Sequence, residues 1–325
     1  MLLELARGRR VLFVGGKGGV GKTSLASALA LARARAGGRV LIVSTDPAHN
    51  LGHLWNTTVG DEPTRLASLS RDGEEAYVDG LEVDPTRTVD RHLSAVRETM
   101  RRLLPERLYG QADQHLALAR EAPGTHESAV LERVAEAVAP GDDSYDLVVF
   151  DTAPSGHTLR LMALPKQLTA WTETLLANRD RSERFGAAMR GIAGTRHDPG
   201  LDSDAELRRV LRRRQQRFAL LRDTIVDPAR TGFVLVLTAE RLPVAETLDV
   251  HAQLTELGVD VAALVANRRS PADAGDLLAA RRTQEDRQLT VVRDRIPGVP
   301  LLEIPLLPGE LVGMEVLGQL AELLG

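Results

Sequence analysis

Cysteine is absent from this chain of 325 residues. Without a thiolate there is no disulfide scaffold, no cysteine-held zinc or iron–sulfur cluster and no cysteine nucleophile. Lysine is nearly absent too. Lys17, Lys22 and Lys166 are the only three, so arginine carries the rest of the 41 basic residues. Two lysines five residues apart, in a chain that otherwise avoids the residue, indicate a need for a compact ammonium in one loop. A run of about 18 consecutive apolar residues, the length that spans a bilayer, is missing. The basic start, Met1 to Arg10, leads into Gly15 and Gly16 and not into the apolar core of a secretory signal. The expectation is a cytoplasmic protein. Neither sign of charge dominates: 41 basic against 45 acidic residues leave a net −4, which disfavours a partner held mainly through phosphate contacts.

What is present is alternation. Arg10 to Gly15 is a short β-rich apolar run, Lys22 to Ala36 is rich in alanine and leucine, Gly37 and Gly38 end it, and Arg39 to Thr45 is a second strand. Further buried-strand candidates are Leu81–Val83, Leu147–Phe150, Gly232–Thr238, Val261–Ala266 and Leu301–Ile304. Valine- and leucine-rich strands separated by helices predict an α/β fold, a parallel sheet covered by helices on both faces with its ligand at the carboxyl ends of the strands. Two stretches break the alternation, Arg87 to Arg120 and Lys166 to Arg230. Both are charged and amphipathic without strand signals, and the second is interrupted by a Gly/Pro/Asp-rich piece at Gly191–Asp204. The expectation is one domain over residues 1–325 carrying these two insertions as a helical subdomain.

Gly16-Lys17-Gly18-Gly19-Val20-Gly21-Lys22-Thr23 fits G-x-x-x-x-G-K-[ST] directly after a strand and at the start of a helix. In such a phosphate loop the glycines let the backbone wrap an anion, successive N–H groups and the helix N-terminus face it, the Lys22 ammonium reaches the outer phosphates, and the Thr23 hydroxyl is a magnesium ligand. Ser24 belongs to the same first turn. Asp46, at the end of the second strand, is placed to orient the water that attacks a γ-phosphate; its other reading is a turn cap. Leu147 to Asp151 is a hydrophobic strand ending in an acid, the pattern that holds magnesium, often through water.

The stretch Asp151-Thr152-Ala153-Pro154-Ser155-Gly156-His157-Thr158-Leu159-Arg160 resembles the second switch of the ArsA family of ATPases, which includes arsenite-pump ATPases and ATPases that deliver tail-anchored membrane proteins. Asp46 to Asn50 resembles the family's first switch. Glu82-Val83-Asp84-Pro85, Pro123-Gly124 with Glu127, Glu240, Glu246-Thr247 and Asn267 fall in family-like order. The resemblance implies a P-loop fold that hydrolyses ATP with magnesium and couples nucleotide state to the opening and closing of a homodimer. It implies that Lys17, at the second loop position, marks the deviant phosphate-loop class and reaches the partner's nucleotide. It also implies that Asn267 contacts adenine, where the plain alternative is a strand-end cap, and that Pro305-Leu306-Leu307-Pro308-Gly309-Glu310 closes over the base.

Departures from the family matter as much. Thiolate arsenite binding and a zinc held by paired cysteines are both impossible here. His49, His53, His126 and His157 lack metal-site spacing and read as hydrogen-bonding residues. The five methionines, Met1, Met100, Met162, Met189 and Met314, are scattered, and Asn178–Gly200 is polar, which is poor material for a greasy client groove. Leu207, Leu211, Phe218 and Leu221 make one helical stripe ringed by Arg208, Arg209, Arg212, Arg213 and Arg217; this reads as a packed helix with a solvated basic face, or as a face for an acidic partner. Two roles fit the whole: a targeting or chaperone ATPase for membrane proteins, and the energising subunit of a membrane transporter, alone or with a related ATPase. A nucleotide-dependent binding switch and a ParA-like partitioning protein are the alternatives of another kind. The acidic C-terminal stretch Glu310–Gly325, without Lys or Arg, speaks against a MinD-like membrane anchor.

Overall fold

Strand β1 (Val11–Gly16) is buried at every residue, which is possible only in the middle of a sheet covered on both faces. The computed structural model describes residues 1–46, 50–71, 73–103, 106–122, 125–139, 144–153, 163 and 200–325. A helix α1 (Leu2–Gly8) precedes β1. Then follow α2 (Lys22–Arg35), β2 (Arg39–Ser44), α3 (Asn50–Trp55), β3 (Thr64–Arg71), β4 (Glu74–Glu82), α4 (Pro85–Leu103), α5 (Tyr109–Glu121), α6 (Thr125–Ala137) and β5 (Leu147–Asp151). The described chain resumes with α7 (Gly200–Val226), β6 (Thr231–Thr238), α8 (Arg241–Glu256), β7 (Val261–Arg269), α9 (Asp276–Arg295), β8 (Leu301–Pro305) and α10 (Met314–Glu322).

The eight strands form one sheet in the order β3-β4-β2-β5-β1-β6-β7-β8. All neighbours are parallel except β3 and β4, an antiparallel pair at one edge. The strands expected from apolar runs are all present, but the β3–β4 hairpin was legible only as Leu81–Val83, its final residues. Thr64, Arg65, Ser68, Ser70 and Arg71 give β3 a polar, mostly exposed edge, and an edge strand paired on one side needs no apolar run.

Phe13, Phe150 and Phe233 lie in register on the three central strands β5, β1 and β6. Phe13 stacks on Phe150 with ring centroids 4.7 Å apart. The alternate residues Leu12, Val14, Val149, Val234 and Val236 face the opposite side, into a core shared with α1, α2 and α10. Helix α2 is buried nearly all round, and its alanines at 26, 28, 30, 32 and 34 let it lie close against the sheet. On the other side of the sheet α8 packs on β6 and α9 on β7, outside that core.

The chain divides into two compact units. The first comprises Met1–Asp84, Glu136–Met162 and Thr224–Gly325, and holds the whole sheet. The second comprises Pro85–Ala135 and Ala163–Asp223. Its described part is helical: Arg97 pairs with Asp113 at 2.7 Å, Arg120 with Asp90 at 3.0 Å, and the Tyr109 hydroxyl donates to the Arg101 carbonyl at 2.7 Å, which fastens α4 to α5. In α7, Phe218 and Leu221 are buried while Arg209, Arg212, Arg213 and Arg217 are exposed, a packed stripe with a basic outer face. The side chains of Leu207, Leu211 and Arg208, and most of the Gly/Pro/Asp-rich piece before α7, lie outside the described residues.

Candidate active site

The carboxyl ends of β2, β5 and β1 are neighbours, and each delivers one part of the site. β1 ends in the glycine loop. At Gly16 a Cβ would collide with the Val236 carbonyl of β6, so only glycine lets the two strands approach there. Gly18 and Gly19 are exposed at the loop's tip, Val20 is buried under it, and α2 opens at Lys22 with Thr23 and Ser24 half-buried in its first turn. The buried Lys22 ammonium donates to the Lys17 carbonyl at 3.1 Å, which curls the loop around its own lysine. Burial lowers the Lys22 pKa; the carboxylates of Asp151 and Asp46 work against that by favouring the charged form.

Asp151 ends β5 at 1% exposure. Burial pushes its carboxyl up to about 6, opposed by hydrogen bonding from Thr23, by the Lys22 charge and by Ser44, while Asp46 raises it further. Ser44, its register partner on β2, donates to Oδ2 at 3.5 Å. The other oxygen, Oδ1, is buried and accepts no hydrogen bond among the described residues. An unsatisfied carboxylate oxygen is costly to bury. Beside two hydroxyls, Thr23 and Ser44, it makes a set of hard oxygen donors that suits magnesium. Held there, the ion would offset charge on the outer phosphates.

Asp46 sits half-buried just past β2, close enough for its charge to act on both Lys22 and Asp151. Pro47, Ala48 and His49 lie outside the described residues, as do Pro154 to Arg160, the rest of the second switch-like stretch. From residue 51 the chain is anchored: the Glu82 carboxylate, at the end of β4, accepts the N–H groups of Leu51 and Gly52 at 2.8 and 3.1 Å. That caps the N-terminus of α3. Trp55 Nε1, at the other end of α3, donates to Ser27 Oγ at 2.9 Å.

Lys17 points to the other flank of the loop, where its ammonium lies 3.0 Å from Glu246 Oε1 on α8. Glu240 takes Arg281 of α9 at 2.9 Å. Asn267 is buried and turned onto the loop itself, donating from Nδ2 to the Val20 carbonyl at 2.8 Å and accepting the Arg268 N–H at 2.9 Å. Pro305 pairs in register with Arg269, and the Leu306 N–H donates to the Arg269 carbonyl at 2.9 Å, so the ends of β7 and β8 stand side by side with Leu306 exposed. Sequence reasoning missed the parts played by Ser44, Glu82 and Arg268. Only the strand-end position of Glu82 and the Arg268-Arg269 doublet after an apolar run offered a signal.

Among the described residues no three His, Asp or Glu side chains converge as a metal cluster, and no helix is long and apolar enough to cross a membrane. A phosphate loop on the central strand of a parallel sheet, served by a buried acid from the strand beside it, defines a P-loop nucleoside triphosphatase. The chain belongs to the ArsA family: the family model described as Anion-transporting ATPase matches residues 9–325. It is an ATPase of that family.

Similar proteins carry names of two kinds. A candidate arsenical pump-driving ATPase of Aquifex aeolicus is 30% identical over 97% of this chain and 99% of its own length. A protein of Paramecium tetraurelia named ATPase ASNA1 homolog 1 is 29% identical over 96% of this chain and 91% of its own. A candidate arsenical pump-driving ATPase of Halobacterium salinarum is 31% identical over 94% of this chain, which spans only 43% of that protein's length.

Proposed function

We propose that the chain hydrolyses ATP to ADP and phosphate with magnesium and uses the nucleotide state to open and close a homodimer that handles membrane proteins as a targeting factor or chaperone. The observation that carries the nucleotide part is Asp151 Oδ1, a buried acceptor without a partner among the described residues, beside the Thr23 hydroxyl and the Lys22 ammonium. In this reading the amides from Gly16 through Ser24 and the Lys22 ammonium bind the phosphates, Thr23 and Asp151 hold magnesium, and Asp46 orients the attacking water, itself bound to the ion through water or not at all. Lys17 of one protomer offsets charge developing at the site of the other. Asn267, Pro305 and Leu306 flank the base. The protein works in the cytoplasm.

The names of the Aquifex and Halobacterium relatives favour a second reading, an energising subunit that drives a membrane transporter. The absence of cysteine removes thiolate capture of arsenite from that reading, so the transported species would be recognised elsewhere.

The test has two parts. Magnesium-dependent ATP hydrolysis is measured in the wild type, Lys22→Ala and Asp46→Asn; turnover in the wild type that both variants lose supports the enzymatic reading, and none in the wild type defeats it. Asp46→Asn trapped with ATP and magnesium in its native cells is then purified with whatever it holds. Proteins with a single C-terminal hydrophobic segment support targeting; a polytopic membrane protein or a related ATPase supports the transporter reading.

A further inference from the structure

Arg268 holds its backbone in the left-handed region, at φ 57°. A long side chain rarely occupies that region, and such an outlier points to a local demand that outweighs the strain. The demand is visible at the other end of the residue. The Arg268 guanidinium donates from Nη1 to the Gly19 carbonyl at 3.0 Å, while Asn267, just before it, donates from Nδ2 to the Val20 carbonyl at 2.8 Å. The two residues brace one another, since Asn267 Oδ1 accepts the Arg268 N–H at 2.9 Å.

Two consecutive residues at the end of β7 thus hold two consecutive carbonyls at the tip of the phosphate loop. In a trans peptide the carbonyl and the N–H of one plane point in opposite directions. Fastening the Gly19 and Val20 carbonyls to β7 therefore turns the N–H groups of Val20 and Gly21 away from it. The approach is close: a Cβ on Gly21 would run into Asn267 Nδ2, and Gly21 itself has φ 95°.

We infer that Asn267 and Arg268 form a clamp that presets the peptide planes of the phosphate loop, aiming the Val20 and Gly21 amides at a bound phosphate, with Arg268 as a positioning residue. Donors already aligned before the anion arrives lose little freedom when it binds. Glycine or asparagine at position 268 would take the left-handed backbone more readily, but neither reaches the Gly19 carbonyl. The inference rests on nucleotide binding at this loop.

The test compares the wild type with Arg268→Ala, Arg268→Gly and Arg268→Lys. ADP affinity is measured by calorimetry, Tm without nucleotide by thermal unfolding, and the order of the Val20 and Gly21 amides in the nucleotide-free protein by NMR relaxation. Loss of one charge-assisted hydrogen bond that orders the loop predicts about tenfold weaker ADP binding in both the alanine and the glycine variants. Arg268→Gly keeps a Tm near that of the wild type, because glycine adopts φ 57° without strain. Arg268→Lys recovers part of the affinity, and the two amides become less ordered in the alanine and glycine variants. A merely structural role would make affinity follow Tm, so that Arg268→Gly would bind ADP like the wild type; that result, or unchanged amide order, overturns the clamp. If the wild type itself binds no ADP, the nucleotide reading fails, and the amide order still decides the clamp.

Discussion

The Lys17 ammonium is paired with a carboxylate of its own chain, Glu246, at 3.0 Å. The side chains are 32% and 37% exposed, so the pair is screened by solvent and worth little to stability, on the order of 0–1 kcal/mol. A weak pair is easily exchanged for a stronger one. If Lys17 serves a partner's nucleotide, it must leave Glu246 to do so, and Glu246→Gln will hydrolyse ATP at least as fast as the wild type with Tm almost unmoved. Lys17→Ala will lose about 100-fold or more in kcat while keeping its ADP affinity. Mixing Lys17→Ala with Asp46→Asn then restores turnover, because the mixed dimer holds one site with both an intact Asp46 and a lysine from across the interface. No recovery at any ratio, with mixed dimers shown to form, would place the lysine's action within its own chain.

Asp151 makes the magnesium-free protein pH-sensitive. Its folded pKa is about 6 against an ordinary 3.8, with burial as the leading cause. The sign follows from linkage: the folded state binds the proton more tightly, so the protonated carboxyl contributes stability that is full below about pH 4 and lost as pH rises through about 6. The loss at neutral pH is of order 3 kcal/mol at most. Asp151→Asn is therefore expected to unfold at a higher temperature than the wild type at pH 7 to 8 without magnesium, with the gap closing toward pH 4, and to lose magnesium-dependent hydrolysis. Parallel melting curves across that range would contradict the assignment.

Glu82 is the one described carboxylate that caps α3, the helix beyond the first switch-like segment. Replacing it by alanine leaves the Leu51 and Gly52 amides without their acceptor and should lower stability by about 1–2 kcal/mol. The better readout is local. Hydrogen exchange at Leu51 and Gly52 should quicken in Glu82→Ala and less so in Glu82→Gln, which keeps one acceptor oxygen. Unchanged exchange at both amides would show that Glu82 does not hold α3, leaving that to contacts such as Trp55 with Ser27 and the Gly313 N–H on the Leu54 carbonyl.

Arg269 joins the ends of β7 and β8 to α9 from a side chain 1% exposed, meeting Glu285 at 2.5 Å, Glu303 at 2.8 Å and Asp286. Arg269→Ala would leave Glu285 buried without its main counter-charge, and chemical denaturation should show a loss of about 3–5 kcal/mol. The Glu285 pKa is lowered although burial opposes this, because Ser270 and then Arg269 and Arg281 favour its charge. That part of the stability is present above the ordinary carboxylate range and lost as pH falls through the lowered value. Acid sensitivity that survives in Arg269→Met,Glu285→Met would have to arise elsewhere.

The central fold and much of the candidate site could be read from residues alone. Buried parallel strands must be apolar on both faces, so β1, β2, β5, β6, β7 and β8 announced themselves. The phosphate loop is encoded by consecutive residues, because one turn of backbone must bind one anion. Asp46 and Asp151 follow from ending apolar strands at the edge of the sheet where ligands bind. The polar hairpin strand β3 left no such mark, since an edge strand can be stabilised by backbone pairing and salt links such as that of Arg65 with Asp79 at 2.5 Å.

Tertiary structure alone decided which distant side chains serve the loop. Lys17 and Glu246 are 229 residues apart, and Asn267 and Val20 are 247 apart. No local pattern encodes such pairs, because they exist only after the sheet order sets β6 beside β1 and β7 beyond it. From the sequence Asn267 was a strand-end amide with a role implied by likeness; in the fold one of its two amide donors goes to the Val20 carbonyl. Chemistry that lies within a few residues of one chain is legible as a motif, whereas the groups that aim it are brought in by topology.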